Sequence, residues 1–378
     1  MDVRIAAPPL PVRRLRELGQ SIWLDEISRP LIESGKLGRL VEDWDVTGLT
    51  SNPTIFARAI ADGTAYESQL RELLADGVDD PEEAYLAVTA TDIQRAADVL
   101  RPAFDRTDGH DGFVSIEVPP DAADDTARSV AMAHRLWERV ARPNLMVKIP
   151  ATEAGVPAIR RLLVEGLNVN ITLLFSLDAY GAVARAYIEA LRERRARGLS
   201  LDVRSVASFF VSRVDTAVDT RLRSGGDRAA ATVDLRGRAA IANARLAYEI
   251  FSELGDSEEF RSLRAAGASP QRLLWASTST KDPALSDVHY VEELIGPDTI
   301  NTMPRRTLEA FADHGRVAGA TVASEPADAR WVMARLAEAG VEMSRVTDEL
   351  LRAGLDTFRH SYDEAVAVIR GEMRRISR

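Results

Sequence analysis

The sequence predicts an α/β protein, a (β/α)8 TIM barrel with additional C-terminal helices. Three observations carry this. Short β-like runs alternate with amphipathic helical stretches, the pattern of parallel βαβ units. There are eight such runs, the strand count of a closed barrel. The chain has 378 residues, and α/β barrels take about 250 residues or more as one unit. An open doubly wound sheet is the alternative. It would usually announce a ligand through a glycine fingerprint, and neither G-x-G-x-x-G nor G-x-x-x-x-G-K-[ST] occurs.

The strands are expected near 21–26 (SIWLDE), 46–51 (VTGLTS), 112–118 (GFVSIEV), 144–150 (NLMVKIP), 167–174 (LNVNITLL), 203–210 (VRSVASFF), 272–277 (RLLWAS) and 298–302 (DTINT). Each is short, apolar or β-branched, and flanked by Gly, Pro, Asn or Asp. Residues 81–101 carry apolar positions at helical spacing behind a Pro and two Glu, the signature of a helix start. Residues 121–141, 176–198, 212–223 and 236–254 read the same way. Two further helical stretches, 326–340 and 345–376, follow the eighth strand and are placed to wrap or cap a barrel. The SGGD turn at 224–227 and the GASPQ stretch at 267–271 read as loops rather than linkers. The organisation expected is one barrel domain over 1–378, with residues 1–14 as an N-terminal extension and about 313–378 as helices packed on the barrel.

Composition removes several functions. Lys plus Arg total 48 and Asp plus Glu 58, for a formal charge of −10. Without a basic block, a nucleic-acid partner is not expected. No apolar run reaches the roughly 18–20 residues a membrane span needs, and the N-terminus shows no secretory h-region. The absence of cysteine removes disulfides, iron–sulfur clusters and thiolate chemistry. A cytoplasmic enzyme is the natural expectation.

One count is more informative. Only three lysines occur, Lys36, Lys148 and Lys281, against 45 arginines. Codon bias explains the excess of Arg. The competing reading is that a remaining lysine stands where Arg cannot serve, since Arg keeps its proton whereas a desolvated Lys becomes a neutral amine able to attack a carbonyl. Lys148 lies among Leu145, Met146, Val147, Ile149 and Pro150. By strand alternation it shares an inward face with Met146. An amine at the C-terminal end of a barrel strand is well placed to form an imine. The competing reading is a lysine that snorkels from a strand end or pairs with a carboxylate.

Asp25 in IWLDEIS and Glu117 in VSIEVPP end apolar strands, where barrel enzymes place catalytic groups. Imine chemistry needs a proton acceptor and donor at the substrate hydroxyl and a group that activates water, and two carboxylates in different environments divide such roles. The plainer reading of each is an acid capping the next helix. Asn52, Asn170, Thr172 and Ser208 interrupt other strands. They either bond to loops or meet a polyhydroxylated substrate. The sequon Asn170-Ile171-Thr172 lies inside an apolar strand and is discounted as a glycosylation site. Arg213 and Lys281 are candidate phosphate contacts, the latter after the hydroxyl-rich WASTST, with surface cations as the alternative. The histidines (His110, His134, His289, His314, His360) show no H-E-x-x-H spacing, so no metal is expected. RERRAR at 192–197 reads as the solvated face of a helix.

Taken together, LTSNPTIF, VSIEV, LMVKIPAT, NVNITLLFS, SFFVSR and LLWASTSTKDP resemble the transaldolase family, in the family's order and over nearly the whole chain from about residue 15. The resemblance implies a barrel with a Schiff-base lysine on the fourth strand, where Lys148 falls. It implies transfer of a dihydroxyacetone unit from sedoheptulose 7-phosphate to glyceraldehyde 3-phosphate, giving erythrose 4-phosphate and fructose 6-phosphate in the non-oxidative pentose phosphate pathway, with no cofactor. Lys148 matches the nucleophile, and Asp25 the first-strand acid that handles the substrate hydroxyl proton. Glu117 matches the third-strand acid working through a water held with Thr172. Asn52, Asn170 and Ser208 match residues that position substrate hydroxyls, Arg213 a phosphate-binding arginine, and Ser277 a serine of the seventh-strand phosphate loop. Many relatives carry Arg two residues after that serine, where this chain has Ser279, so Lys281 is the candidate replacement. Phe210 matches an aromatic position near the imine that tends to be Tyr in simple aldolases. Relatives are monomers and homodimers, and the partners implied are sugar phosphates. Two other functions compete: a class I aldolase acting on fructose 6-phosphate, which needs the same lysine, and a non-catalytic phosphosugar-binding barrel, which would not need Lys148, Asp25 and Glu117 together.

Overall fold

The computed structural model describes residues 10–61, 64–224 and 230–378. Eight parallel strands close into a barrel in sequence order, with the first paired to the eighth. They are β1 (Gln20–Leu24), β2 (Val46–Leu49), β3 (Val114–Glu117), β4 (Leu145–Pro150), β5 (Val169–Leu174), β6 (Ser205–Phe210), β7 (Arg272–Ala276) and β8 (Thr299–Met303). All eight expected strands form, each within a few residues of its expected bounds. The sheet is covered on one face by helices and filled on the other by its own side chains. This explains why the strands are apolar almost throughout rather than alternating.

Helix boundaries follow local chemistry. Asp80 caps Pro81–Arg106 by accepting from the Glu82 N–H, with Pro81 in the first turn. Asp125 and Ser176 cap Thr126–Val140 and Leu177–Ala196 in the same way. The stretch expected as one helix from 121 starts at Thr126 because Pro120–Ala122 forms a separate 3-10 turn. Helix Leu10–Glu17 takes in part of the segment expected as an extension, with Val12 and Leu15 fully buried. Residues 1–9, and the Gly225–Asp227 part of the SGGD turn, lie outside the described residues. The RERRAR expectation fails at one position. Arg194 is buried and donates to the carbonyls of Ser200 (2.7 Å) and Val164 (2.8 Å), tying its helix to a neighbour.

The register pairs fix which side chains face the barrel axis. Glu117 pairs with Lys148 and Lys148 with Asn170, so these three share the inner face. Trp23 pairs with Gly48, also inward, and the indole lies directly over that glycine. A Cβ on Gly48 would sit 2.3 Å from the ring, so no larger residue fits. The N-terminal end of the barrel is plugged by a network of buried polar side chains. Trp23 Nε1 donates to Asp111 (2.7 Å), and Arg272 donates to Ser21 and the Thr299 carbonyl (2.9 Å). Conserving shape at that end is a matter of stability, and chemistry belongs at the opposite, C-terminal mouth.

The last helix, Met343–Ile376, crosses that mouth. It packs on Pro53–Ala61, Pro81–Arg106, Ser212–Arg223 and β5. Thr54 and Ser361 bond through their hydroxyls at 2.8 Å, and the Tyr85 and Tyr362 rings meet edge-on at 4.9 Å. No helix among the described residues is long and apolar enough to cross a membrane.

Candidate active site

A cleft of about 1070 Å³, counted to its open mouth, lies at the C-terminal end of the barrel. Asp25, Asn52, Lys148, Ser208, Phe210 and Arg213 line it, with Ser277 and Lys281 on the loop after β7. Residues spread over 256 positions of sequence meet here because the strand ends of β1, β2, β4, β6 and β7 converge on one rim.

Lys148 is 4% exposed. Its ammonium donates to the Ser51 carbonyl at 3.0 Å and stands 3.7 Å from Glu117 Oε2. Asp25 follows β1 directly, and its backbone N–H donates to Met303 at 2.8 Å, which fixes the loop. Its carboxylate accepts from Thr50 Oγ1 at 2.7 Å, and Thr50 in turn meets Thr302 at 2.7 Å. Burial pushes the Asp25 carboxyl above the usual range, opposed by the Thr50 hydroxyl and the charges of Lys148 and Arg213. Burial also pushes Glu117 up, to about 7, against the attraction of Lys148, with the Asp25 charge adding to the rise. Two acids with different surroundings thus flank one amine.

Glu117, Thr172 and Asn170 lie behind the cleft wall rather than on it. Glu117 Oε2 and Thr172 Oγ1 are buried, and neither has a hydrogen-bond partner. Groups of this kind are rarely left unsatisfied in a folded interior, and a bridging water meets such a need. Asn170 is fully engaged. It donates to Ser115 Oγ (2.9 Å) and accepts from Ser208 Oγ (2.7 Å), a chain that holds Ser208 at the floor of the cleft. Asn52 caps helix Pro53–Ala61 by accepting from the Ile55 N–H at 3.0 Å.

The cleft is electropositive although the chain is acidic. Arg213 enters at the start of helix Ser212–Arg223, its guanidinium 5.3 Å over the Phe210 ring. Among the described residues it makes no hydrogen bond or ion pair. Ser277 holds a positive φ of 57°, and its hydroxyl lies 3.0 Å from that of Ser212. Lys281 donates to Ser279 Oγ at 2.8 Å, which holds its ammonium beside the Ser277–Ser279 segment. Cations, hydroxyls and a helix start form an anion-binding rim.

Sequence reasoning missed several lining residues. Thr50 and Thr302 sit on the inner face by parity and were legible in principle. Arg58, Thr357 and Phe358 come from helices and carry no local signal.

A closed (β/α)8 barrel with an amine, two buried acids and a cationic rim at its C-terminal mouth defines a barrel enzyme of carbonyl chemistry on anionic substrates. The chain belongs to the Transaldolase/Fructose-6-phosphate aldolase family, whose sequence model matches residues 22–369. It is 51% identical over 364 residues to a transaldolase of Parafrankia sp., covering 96% of this chain and 98% of the relative. It is 51% identical over 355 residues to a transaldolase of Thermobifida fusca, covering 94% and 96%. A Mycolicibacterium smegmatis transaldolase is 45% identical over 361 residues, covering 95% and 96%.

Proposed function

We propose that this barrel is a transaldolase with Lys148 as its nucleophile, transferring a dihydroxyacetone unit from sedoheptulose 7-phosphate to glyceraldehyde 3-phosphate. The observation that carries the reading is the placement of one buried amine between Asp25 and Glu117 at the floor of a cation-rimmed cleft. Nζ adds to the donor ketone, and loss of water gives the imine. The Asp25 carboxylate accepts the proton of the neighbouring hydroxyl as the carbon–carbon bond breaks and the aldose leaves. The three-carbon enamine stays on Lys148. It then attacks the acceptor aldehyde, and Asp25 returns the proton to the new hydroxyl. Glu117, with its carboxyl near 7, donates and accepts protons through a water bridging it to Thr172, as imine formation and hydrolysis require.

Arg213, Ser277 and Lys281 hold the phosphate, with Lys281 serving in place of the arginine that relatives carry. Ser208 and Asn52 orient hydroxyls, and Asn170 acts by holding Ser208. Phe210 places no hydroxyl beside the imine, which favours transfer over release of free dihydroxyacetone. The whole chain acts as one catalytic unit in the cytoplasmic pentose phosphate pathway.

The test is borohydride reduction in the presence of fructose 6-phosphate, followed by peptide mapping. A three-carbon adduct on Lys148 is expected. No adduct, or one on Lys36 or Lys281, overturns the reading.

A further inference from the structure

The described residues contain a strained segment next to the site that the reaction above does not explain. Across the β5–β6 pair, Ile171 faces Ala207 and Leu174 faces Phe209. Three steps on β5 therefore span two on β6, so β5 carries one extra residue, a β-bulge beginning at Thr172. Leu173 lies in the left-handed region at φ 57°. A bulky L-residue does not hold that conformation without support from its surroundings. Bulges re-aim the side chains beside them, and the neighbour here is Thr172, whose hydroxyl is buried without a protein partner.

The support comes from the far end of the chain. The Leu173 side chain is buried against Gly354 of helix Met343–Ile376. A Cβ on Gly354 would lie 2.9 Å from Leu173 Cδ2, so the glycine lets the helix close on the leucine. The same helix lines the cleft through Thr357 and Phe358, and it is tied to the β2 side of the mouth through Ser361 and Thr54. On the other side of Gly354, Glu349 pairs with Arg221 of helix Ser212–Arg223, so the helix is tied on both sides of the bulge it presses.

We propose that Leu173 and Gly354 form a positioning clamp, in which the C-terminal helix holds the β5 bulge so that the Thr172 hydroxyl faces Glu117. The clamp rests on the assignment of Thr172 and Glu117 to the water-handling step. Leu173 touches no substrate and acts through Thr172 alone. The consequence is specific. Loosening the clamp slows proton handling at the imine, leaves substrate binding intact, and adds nothing once the Thr172 hydroxyl is gone.

The experiment is a double-mutant cycle on the full chain with Leu173→Gly, Thr172→Ala and the double variant, with borohydride trapping run on each. Glycine adopts the left-handed backbone freely, so Leu173→Gly removes the clamp without adding strain. The expected kcat loss for Leu173→Gly is about 10- to 100-fold, the scale for misplaced catalytic groups. KM stays within about 2-fold, because ground-state binding is untouched. Lys148 still forms its adduct, and the double variant is no slower than Thr172→Ala. An unchanged kcat in Leu173→Gly, or losses that multiply in the double variant, overturns the clamp. Should Leu173→Gly fail to fold, Gly354→Ala replaces it in the same cycle. It pushes directly on Leu173 Cδ2 and carries the same expectations with a smaller loss. A wild type that forms no Lys148 adduct overturns the underlying assignment and the clamp with it. A wild type that forms one, with a multiplicative cycle, overturns the clamp alone.

Discussion

Glu117→Gln separates the role of this carboxyl from its surroundings through the pH dependence of stability. The folded state raises the Glu117 carboxyl from 4.5 to about 7, chiefly by burial. Between those values the folded protein holds a proton that the unfolded chain has released. Stability therefore falls as pH rises through this window. The contribution is fully present below about 4.5 and gone above about 7. A rise of that size corresponds to about 3 kcal/mol. Glutamine is neutral throughout and has no such dependence. Urea unfolding of both proteins at pH 5, 6, 7 and 8 measures the effect. The stability of wild type relative to Glu117→Gln should decline by up to about 3 kcal/mol between pH 5 and 8. A difference that is flat with pH, or that grows as pH rises, would show that Glu117 is an ordinary ionised acid in the folded state. It would then have no basis for proton exchange near neutrality.

Other substitutions test separate parts of the molecule. Lys148→Arg keeps the positive charge but cannot form an imine, so borohydride should leave the variant unmodified and transfer should cease. Arg213→Ala should raise KM for phosphorylated acceptors by about 10- to 100-fold, the worth of a lost charge-assisted hydrogen bond, while leaving unphosphorylated glyceraldehyde nearly unaffected. Phe210→Tyr should increase free dihydroxyacetone, assayed by a coupled reductase; an unchanged yield removes the argument from that ring. Asp92→Asn breaks the buried pair with Arg29 (2.9 Å), which also engages Tyr66, and should cost about 3–5 kcal/mol in denaturant unfolding.

The barrel was legible because its signal is repeated. Each strand is a short apolar run between turn residues, and eight of them leave few arrangements. Lys148 stood out for a different reason: a chain that uses arginine nearly everywhere shows its few lysines plainly. Asp25 and Glu117 were legible from strand-end position, whereas their unequal environments depend on Thr50 and Thr302, whose contact joins strands 252 residues apart. Arg194 was misread because an arginine among arginines looks solvated, and only the neighbouring helix end supplies the carbonyls that bury it. The bulge at Thr172 was invisible, since NITLL carries no glycine and Leu173 holds the left-handed backbone by tertiary support. Nothing in TDELLRAGLDTF announces that Gly354 provides that support.

The course of the last helix also sets the order in which the molecule can be completed during synthesis. The first strand waits for the eighth, nearly 280 residues later, before the ring can close. Even then the mouth lacks Gly354, Thr357, Phe358 and Ser361. A chain arrested after β8 has Asp25, Glu117, Lys148 and Thr172, yet lacks the helix that packs on Leu173 and walls the cleft. The cleft around Lys148 is thus walled last, by residues made after the strand that closes the ring.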